Sequence, residues 1–145
     1  MKLLIQRVSK ASVEVENQII ASINEGVLVF VGFDKEDNFE KIKPLADKLL
    51  EYKIFNDSNN KIALSLHETN NDILIVPQVT LSVGTKKGTK PSFSEAADPQ
   101  KGNQLFEDFK KLLSTKFKPI KSGVFGSEMS VSLINEGPIT FWFEL

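Results

Sequence analysis

The spacing of apolar residues most restricts the fold of this chain, because it changes from a strand pattern to a helix pattern and back. Up to residue 32, apolar residues alternate with polar ones or form short runs, as in "SVEVE" and "GVLVFVG", which is typical of β-strands. Two helical patterns follow, with apolar faces made of Phe39, Ile42, Leu45, Ala46, Leu49 and Leu50 and of Leu105, Phe106, Phe109, Leu112 and Leu113. Asp98 and Pro99 open the second helix as N-cap and first helical residue. We therefore predict an α+β fold with about two helices and a mostly antiparallel or mixed β-sheet.

Two prolines interrupt these patterns. Pro44 lies within the first helical face, so the helix either kinks there or begins later than its apolar pattern suggests. Pro77 lies within "DILIVPQVTLSV" (72–83), which is otherwise strongly β-like. Because proline cannot donate to a strand ladder, Pro77 indicates an edge or a bulge, where backbone groups can face a ligand. Short strands are also predicted in "YKIFND" and "KIALSL", and the chain closes with strand candidates at 117–124, 129–134 and 139–145.

The charges are distributed unevenly, although 18 basic and 19 acidic residues leave a formal net charge of only −1. Residues 84–121 contain nine lysines and four acidic residues, a net +5, so the remainder carries −6. A basic stretch in an otherwise acidic protein favours contact with a polyanion on one face. A solvated helix and loop rich in lysine explain the same composition, and the sequence leaves both interpretations open.

Several classes of chemistry are excluded by the residues that the sequence lacks. It contains no cysteine, which removes disulfides, thiolate catalysis and cysteine zinc sites. Its one histidine, His67, rules out multi-histidine metal sites, and no nucleophile elbow, phosphate-binding loop or dinucleotide fingerprint is present. We expect His67 to be an exposed structural residue, and we predict neither a metal nor a cofactor.

Length and hydropathy give a simple expectation for the organisation of the chain. No repeat or linker interrupts the 145 residues, so we expect a single domain, 1–145. The longest apolar run, "VLVFV" (27–31), is far shorter than the ~20 residues of a membrane span, and the first residues lack a signal-peptide pattern. A cytoplasmic protein without membrane contact is therefore expected.

The segment "NEGPITFW" (135–142) places a conformationally free glycine directly before a proline. Glycine adopts backbone angles that other residues avoid, whereas proline fixes φ and lacks an N–H. The bond before a proline is also the realistic place for a cis peptide. Gly137 and Pro138 therefore either form a turn or hold backbone carbonyls in a chosen direction.

Four short segments in chain order make the sequence similar to a known family. They are "IQRVSKASV" (5–13), "PQVTL" (77–81), "GTKPSF" (88–93) and "NEGPITF" (135–141), and they resemble the D-aminoacyl-tRNA deacylase family. The resemblance extends over essentially the whole chain. It implies a partly open, barrel-like sheet, a homodimer and a tRNA partner, with no cofactor. The implied reaction is hydrolysis of the ester that joins a D-amino acid, or glycine on tRNA(Ala), to the terminal adenosine of tRNA.

The resemblance also implies roles for individual residues. Gly137 and Pro138, joined by a cis bond, would enter the active site of the partner subunit, where their parallel carbonyls reject L-aminoacyl esters. Arg7 would hold these carbonyls in their orientation. Met129 and Phe125 would lie at the substrate pocket.

The family motif "SQFTL" is "PQVTL" in this chain, which changes what the motif can contribute. Pro77 supplies no hydroxyl, whereas Gln78, the backbone N–H of Val79 as an oxyanion donor, and Thr80 keep the catalytic roles that the resemblance implies. Water would attack the ester with help from the 2′-hydroxyl of the terminal ribose. The alternative in which Thr80 is a covalent nucleophile lacks an obvious base.

Lysines in the loop before the second long helix are the predicted contacts to tRNA. Lys86, Lys87 and Lys90 would meet the backbone of the acceptor stem, and Lys90 stands where the family commonly has arginine. A second hypothesis is a non-catalytic RNA-binding module that uses the same basic segment. The sequence lacks the aromatic and basic signature of such modules.

Overall fold

The structure, a computed structural model, describes residues 1–86 and 88–145. Within these residues the main sheet contains six strands: β1 (Lys2–Val15), β2 (Gln18–Ile23), β3 (Gly26–Gly32), β6 (Asp72–Pro77), β7 (Lys121–Ser122) and β8 (Ser130–Glu144). A small hairpin adds β4 (Phe55–Asn56) and β5 (Ile62–Leu64). The α-helices of the described residues are α1 (Phe39–Glu51), α2 (Leu66–Thr69) and α3 (Pro99–Lys116).

Strand β1 organises the sheet because it pairs antiparallel with β2, β3 and β8. The sheet continues through β6 and β7, and the pairs β3–β6 and β6–β7 are parallel. Strand β2 also approaches β6 and β7 from the other end of the sheet, so the sheet curls into a nearly closed barrel. The predicted α+β class with a barrel-like, mixed sheet is therefore confirmed.

The two long helices form where their apolar faces predicted them, and the predicted N-cap Asp98 begins the second. The Asn38 side chain accepts a hydrogen bond from the backbone N–H of Lys41, and Asp98 accepts one from Lys101. Both helices bury their apolar faces against one side of the sheet, where they form a core cluster with Leu3 of β1. None of the described helices is long and apolar enough to cross a membrane.

Several local predictions need correction. Helix α1 begins at Phe39 and runs through Pro44, so the alternative of a later start was wrong. The predicted strand 72–83 ends at Pro77, and Val79–Ser82 form a 3₁₀ helix instead. The candidates 129–134 and 139–145 join into the single strand β8, and 117–124 shortens to β7. The sequence also missed α2, which is only 4 residues long.

A network of charges fastens the start of β1 to the start of α1. The amino group of Met1 lies 2.6 Å from the carboxylate of Asp37 and 3.1 Å from that of Asp34. Lys2 Nζ lies 2.8 Å from Asp34. Burial favours the neutral form of Asp34, but hydrogen bonds from Lys2 and the Met1 amino group outweigh this effect and hold its pKa below the ordinary value of 3.8.

We expect Asp34 to make the unfolding free energy pH-dependent in acid. Because the folded-state pKa is lowered, its stabilising contribution is present above the unfolded pKa and is lost as the pH falls through the folded pKa. In Asp34→Asn the unfolding free energy should be lower than in wild type at neutral pH, and the difference should shrink below about pH 4. Urea titrations over this range measure the difference. Glu51→Gln, which removes an exposed carboxylate from α1, is the control, and a constant difference for Asp34→Asn would contradict the assignment.

Candidate active site

A cavity of about 450 Å³ opens beside the C-terminal end of β6. Its walls include Gln78, Val79, Phe125 and Met129, four residues for which the sequence predicted a role in the site. A concave, largely apolar cavity with a few polar groups is the usual form of a small-molecule site. The fold therefore brings together residues from the 77–81 and 125–129 segments.

The backbone after Pro77 brings Val79 to this cavity at the start of a short helix. After Pro77 the chain turns into the 3₁₀ helix, whose first described backbone bond runs from the N–H of Leu81 to the carbonyl of Gln78 (3.2 Å). The N–H groups of Val79 and Thr80 precede that bond, so they have no acceptor within the helix. Val79 is 45% exposed and lines the cavity, where its N–H can stabilise a developing negative charge.

Thr80 lies on the exposed side of the same turn. The side-chain amide of Gln78 donates a hydrogen bond to Thr80 Oγ1. Among the hydrogen bonds of the described residues, no histidine or carboxylate reaches this hydroxyl. An amide cannot accept the proton of an attacking hydroxyl, so the contacts favour a positioning role for Thr80 over a nucleophilic one.

Glycines that the sequence analysis did not select determine the shape of the cavity. A Cβ built at Gly102 of α3 would lie 2.9 Å from Phe125 Cζ, and one at Gly123 would lie 2.6 Å from Met129 Sδ. Each wall side chain therefore occupies the space that a glycine leaves empty. At Gly32 a Cβ would lie 3.0 Å from the carbonyl oxygen of Gln78, so this glycine lets the 3₁₀ helix pack on β3. Only packing, which the sequence does not reveal, identifies these positions.

Gly137 and Pro138 lie in an exposed bulge of β8. Gln6 pairs with Thr140 and Val8 with Asn135, so residues 136–139 have only Arg7 opposite them on β1. Gly137 has φ +122°, a value that side-chain-bearing residues rarely adopt, and the peptide bond to Pro138 is cis. The bulge removes these residues from the regular ladder and presents their backbone to the exterior.

Arg7 is the described side chain that contacts this bulge from β1. Its Nε donates to the carbonyl of Glu136 at 3.1 Å, and its side chain is largely buried. The bond joins Arg7 to the residue directly before Gly137. The predicted proximity of Arg7 to the glycine–proline pair is present in the structure, and its role there stays a prediction.

The lysines of the basic segment fall into two groups. Four of them contact acidic side chains or a backbone carbonyl, which identifies that part as a paired protein surface: Lys101 with the carbonyl of Lys35, Lys110 with Glu107, Lys116 with Asp47 and Lys118 with Asp72. The others that the structure describes are exposed: Lys86 and Lys90 in the loop before α3, Lys111 on α3 and Lys121 in β7. Lys87 lies outside the described residues.

His67 lies on α2 and is exposed, as predicted. Its ring packs edge to face on Phe117, with ring centroids 5.6 Å apart. This contact is with an apolar ring, and His67 is not among the residues that line the cavity. Its surroundings are those of a structural residue.

Comparison with known proteins identifies the family. The family model described as D-Tyr-tRNA(Tyr) deacylase matches residues 4–144. The D-aminoacyl-tRNA deacylase of Haemophilus influenzae (strain Rd) is 46% identical over 142 residues, 98% of each chain. That of Francisella tularensis subsp. novicida is 42% identical over 142 residues, again 98% of each chain.

Solved structures agree in fold. A protein described as c-Myc DNA unwinding element binding protein has a TM-score of 0.96 and 33% identity, covering 100% of this chain and 99% of its own. A probable eukaryotic D-amino acid tRNA deacylase has a TM-score of 0.86 over 99% of this chain and 98% of its own, and at 22% identity it shows the shared fold. Fold and sequence thus define one class, and this chain belongs to the D-aminoacyl-tRNA deacylase family of enzymes.

Filling the space at Gly123 should narrow the cavity. We expect Gly123→Ala to displace Met129 into the cavity and to raise KM for an aminoacyl ester with a large side chain about tenfold, with a smaller effect on a glycyl ester. Steady-state kinetics on both esters test this. The double variant Gly123→Ala/Met129→Ala, which removes the displaced side chain, should restore part of the loss. Equal effects on the two esters would show that Gly123 does not control the size of the cavity.

Proposed function

We propose that this protein hydrolyses the ester of D-aminoacyl-tRNA and of glycyl-tRNA(Ala) and rejects L-aminoacyl-tRNA. In this proposal the cavity of one subunit holds the aminoacylated 3′ end, and the Gly137–Pro138 segment of a second subunit closes over it. The protein supplies position, an oxyanion site and a backbone barrier, while the 2′-hydroxyl of the substrate assists the attacking water. Editing of tRNA fits the cytoplasmic location predicted from the sequence.

One observation carries this proposal: within one chain, the predicted site residues lie in two separate places. Gln78, Val79, Phe125 and Met129 line the cavity, whereas the described lining residues include neither Arg7 nor the Gly137–Pro138 pair. The pair is exposed in the bulge of β8. A site in which one subunit supplies the cavity and another supplies the barrier accounts for both halves.

Exposed apolar side chains on β8 and β2 support a homodimer. Ile134, three residues before Gly137, is 49% exposed, and Trp142 beyond the bulge is 47% exposed. Ile19 and Ile20 of β2 are 67% and 43% exposed. Apolar groups of this size on a sheet surface favour burial against another chain. The dimer predicts a particle of twice the 16.2 kDa chain mass, which analytical ultracentrifugation measures.

The geometry of the bulge gives chirality screening a physical basis. Arg7 holds the carbonyl of Glu136, directly before Gly137, and so restrains the backbone of the bulge. In this proposal the restrained carbonyls of Gly137 and Pro138 do not rotate away from a side chain that points toward them, so one mirror image is excluded by contact. A D-aminoacyl group directs its side chain elsewhere, and a glycyl group has no side chain. Both are therefore accepted.

Deacylation of paired D- and L-tyrosyl-tRNA tests the proposed function. We expect the purified protein to release D-tyrosine at least about 10²-fold faster than L-tyrosine. In Gly137→Ala, a Cβ would lie 2.8 Å from Ile139 Cγ1 and 3.1 Å from Arg7 Nη2, so the bulge must shift and rejection of the L-ester should weaken. Binding of both tRNAs without cleavage of either would support an RNA-binding module instead.

The role of Thr80 separates the two mechanisms. If Thr80 only positions Gln78, kcat of Thr80→Val should stay within about tenfold of wild type, whereas loss of an attacking nucleophile costs on the order of 10⁴-fold or more. Single-turnover measurements on D-tyrosyl-tRNA give this number. Substrate that lacks the terminal 2′-hydroxyl should react poorly, and full activity on it would end the substrate-assisted mechanism.

The exposed loop lysines should contribute to tRNA affinity through phosphate contacts. We expect Lys86→Ala/Lys90→Ala to weaken tRNA binding at low salt and to reduce the slope of log K against log salt by about one to two, since each phosphate contact contributes roughly 0.7 to 0.9. Filter binding at several salt concentrations measures the slope. Lys43→Ala/Lys61→Ala removes two exposed lysines elsewhere, and an equal effect there would exclude a specific role for the loop.

A further inference from the structure

We propose that Asn56 is a positioning residue for chirality screening, because it orients the Arg7 guanidinium that holds the bulge at Gly137. Asn56 lies in β4, 49 residues along the chain from Arg7, and outside every motif that the sequence analysis selected. This inference rests on the proposed function of the Gly137–Pro138 segment.

The environment of Arg7 is unusual for a buried cation. The residue is 8% exposed and lies on the same face of β1 as Leu3 and Ile5, which belong to the core. Among the described residues, no carboxylate lies within 4.0 Å of its guanidinium. Its partners are therefore neutral oxygens, and hydrogen-bond geometry instead of a counter-ion fixes its direction.

Three oxygens from two parts of the chain, residues 54–56 and Glu136, define that direction. Nε donates to the carbonyl of Glu136 at 3.1 Å, while Nη1 donates to the carbonyl of Ile54 at 2.9 Å and to Asn56 Oδ1 at 3.0 Å. A planar guanidinium held at Nη1 by two acceptors cannot turn without breaking one of them. The two acceptors of Nη1, Ile54 and Asn56, thus determine the direction in which Nε points toward the bulge.

Asn56 is itself held in place by the hairpin turn. Its Nδ2 donates to Asn60 Oδ1 at 2.7 Å, which leaves Oδ1 directed at Arg7. Asn60 occupies the left-handed region with φ 59°, and Asp57 Oδ1 accepts from the backbone N–H groups of Asn59 and Lys61. The turn therefore fixes Asn60, which fixes Asn56, which fixes Arg7.

The bulge depends on this support because it has left the strand ladder. Residues 136–139 have no partners in the β1–β8 register, and the described side-chain hydrogen bond to their backbone comes from Arg7. Arg7 Nη2 also lies 3.1 Å from the position of a Cβ at Gly137. Without Asn56, Nη1 keeps a single acceptor, and the carbonyl of Glu136 and the backbone after it gain freedom to move.

The test compares the ratio of kcat/KM for L- and D-tyrosyl-tRNA in matched variants. Asn56→Ala should raise the L-to-D ratio about tenfold, the effect of one lost hydrogen bond to a charged group. Asn56→Asp keeps an oxygen acceptor for Arg7, and its second carboxylate oxygen can accept from the Asn60 amide once that amide turns to present Nδ2, so the ratio should stay within about twofold of wild type. Asn59→Ala makes the same chemical change in the same exposed turn, where the side chain has no described hydrogen bond, and should leave the ratio unchanged.

Gly137→Ala serves as the reference that separates this inference from the proposed function. If Gly137→Ala raises the ratio and Asn56→Ala does not, the positioning role of Asn56 is wrong while the screening function stands. If Gly137→Ala leaves the ratio unchanged, the screening function itself fails, whatever Asn56 does. Should Asn56→Ala not fold, as judged by thermal unfolding, Asn60→Ala removes the next hydrogen bond, and an unchanged ratio in that variant overturns the inference.

Discussion

The antiparallel pairing of β1 with β8 is the constraint on which the rest of the structure depends. The ladder fixes β8 at both ends, and the four residues 136–139 opposite Arg7 must leave it as a bulge. A proline cannot donate to a ladder, and a glycine tolerates the backbone angle that the bulge requires. The pair Gly137–Pro138 is therefore a local solution to a break in a long strand, and Arg7 restores one of the hydrogen bonds that the break removes.

In the proposed function, the chemistry of this site relies on backbone groups more than on reactive side chains. Val79 begins a 3₁₀ helix at the cavity, and Arg7 holds the carbonyl of Glu136 at the start of the bulge. Backbone groups cannot be changed by substitution, but their directions depend on neighbours. Gly32, Gly102 and Gly123 leave room for the 3₁₀ helix, Phe125 and Met129 to pack at the cavity, so the shape of the cavity depends on packing as well as on functional groups.

Sequence reasoning succeeded where local rules decide the structure and failed where distant residues decide it. The cap at Asp98 and the two apolar faces defined the long helices, and the bounds of β3 followed from the short apolar run "GVLVFVG". Continuation of the strand beyond Pro77 was wrong, because contact with Gly32 favours a helical turn there. The support from Asn56 could not be predicted either, since a hydrogen bond across 49 residues leaves no local pattern.

Strand β8 carries Val131 at the cavity and Gly137 in the bulge. In the proposed dimer, this single strand therefore contributes to the active sites of both subunits. One inserted residue between Val131 and Gly137 would reverse the alternation of side chains and rotate the barrier away from its target. Such an insertion would damage the active site of its own subunit. It would also damage the active site of the partner subunit, to which the bulge of β8 contributes. In a cell that makes both forms of the chain, a faulty copy would then inactivate healthy copies by assembling with them, and the genetic effect would be dominant.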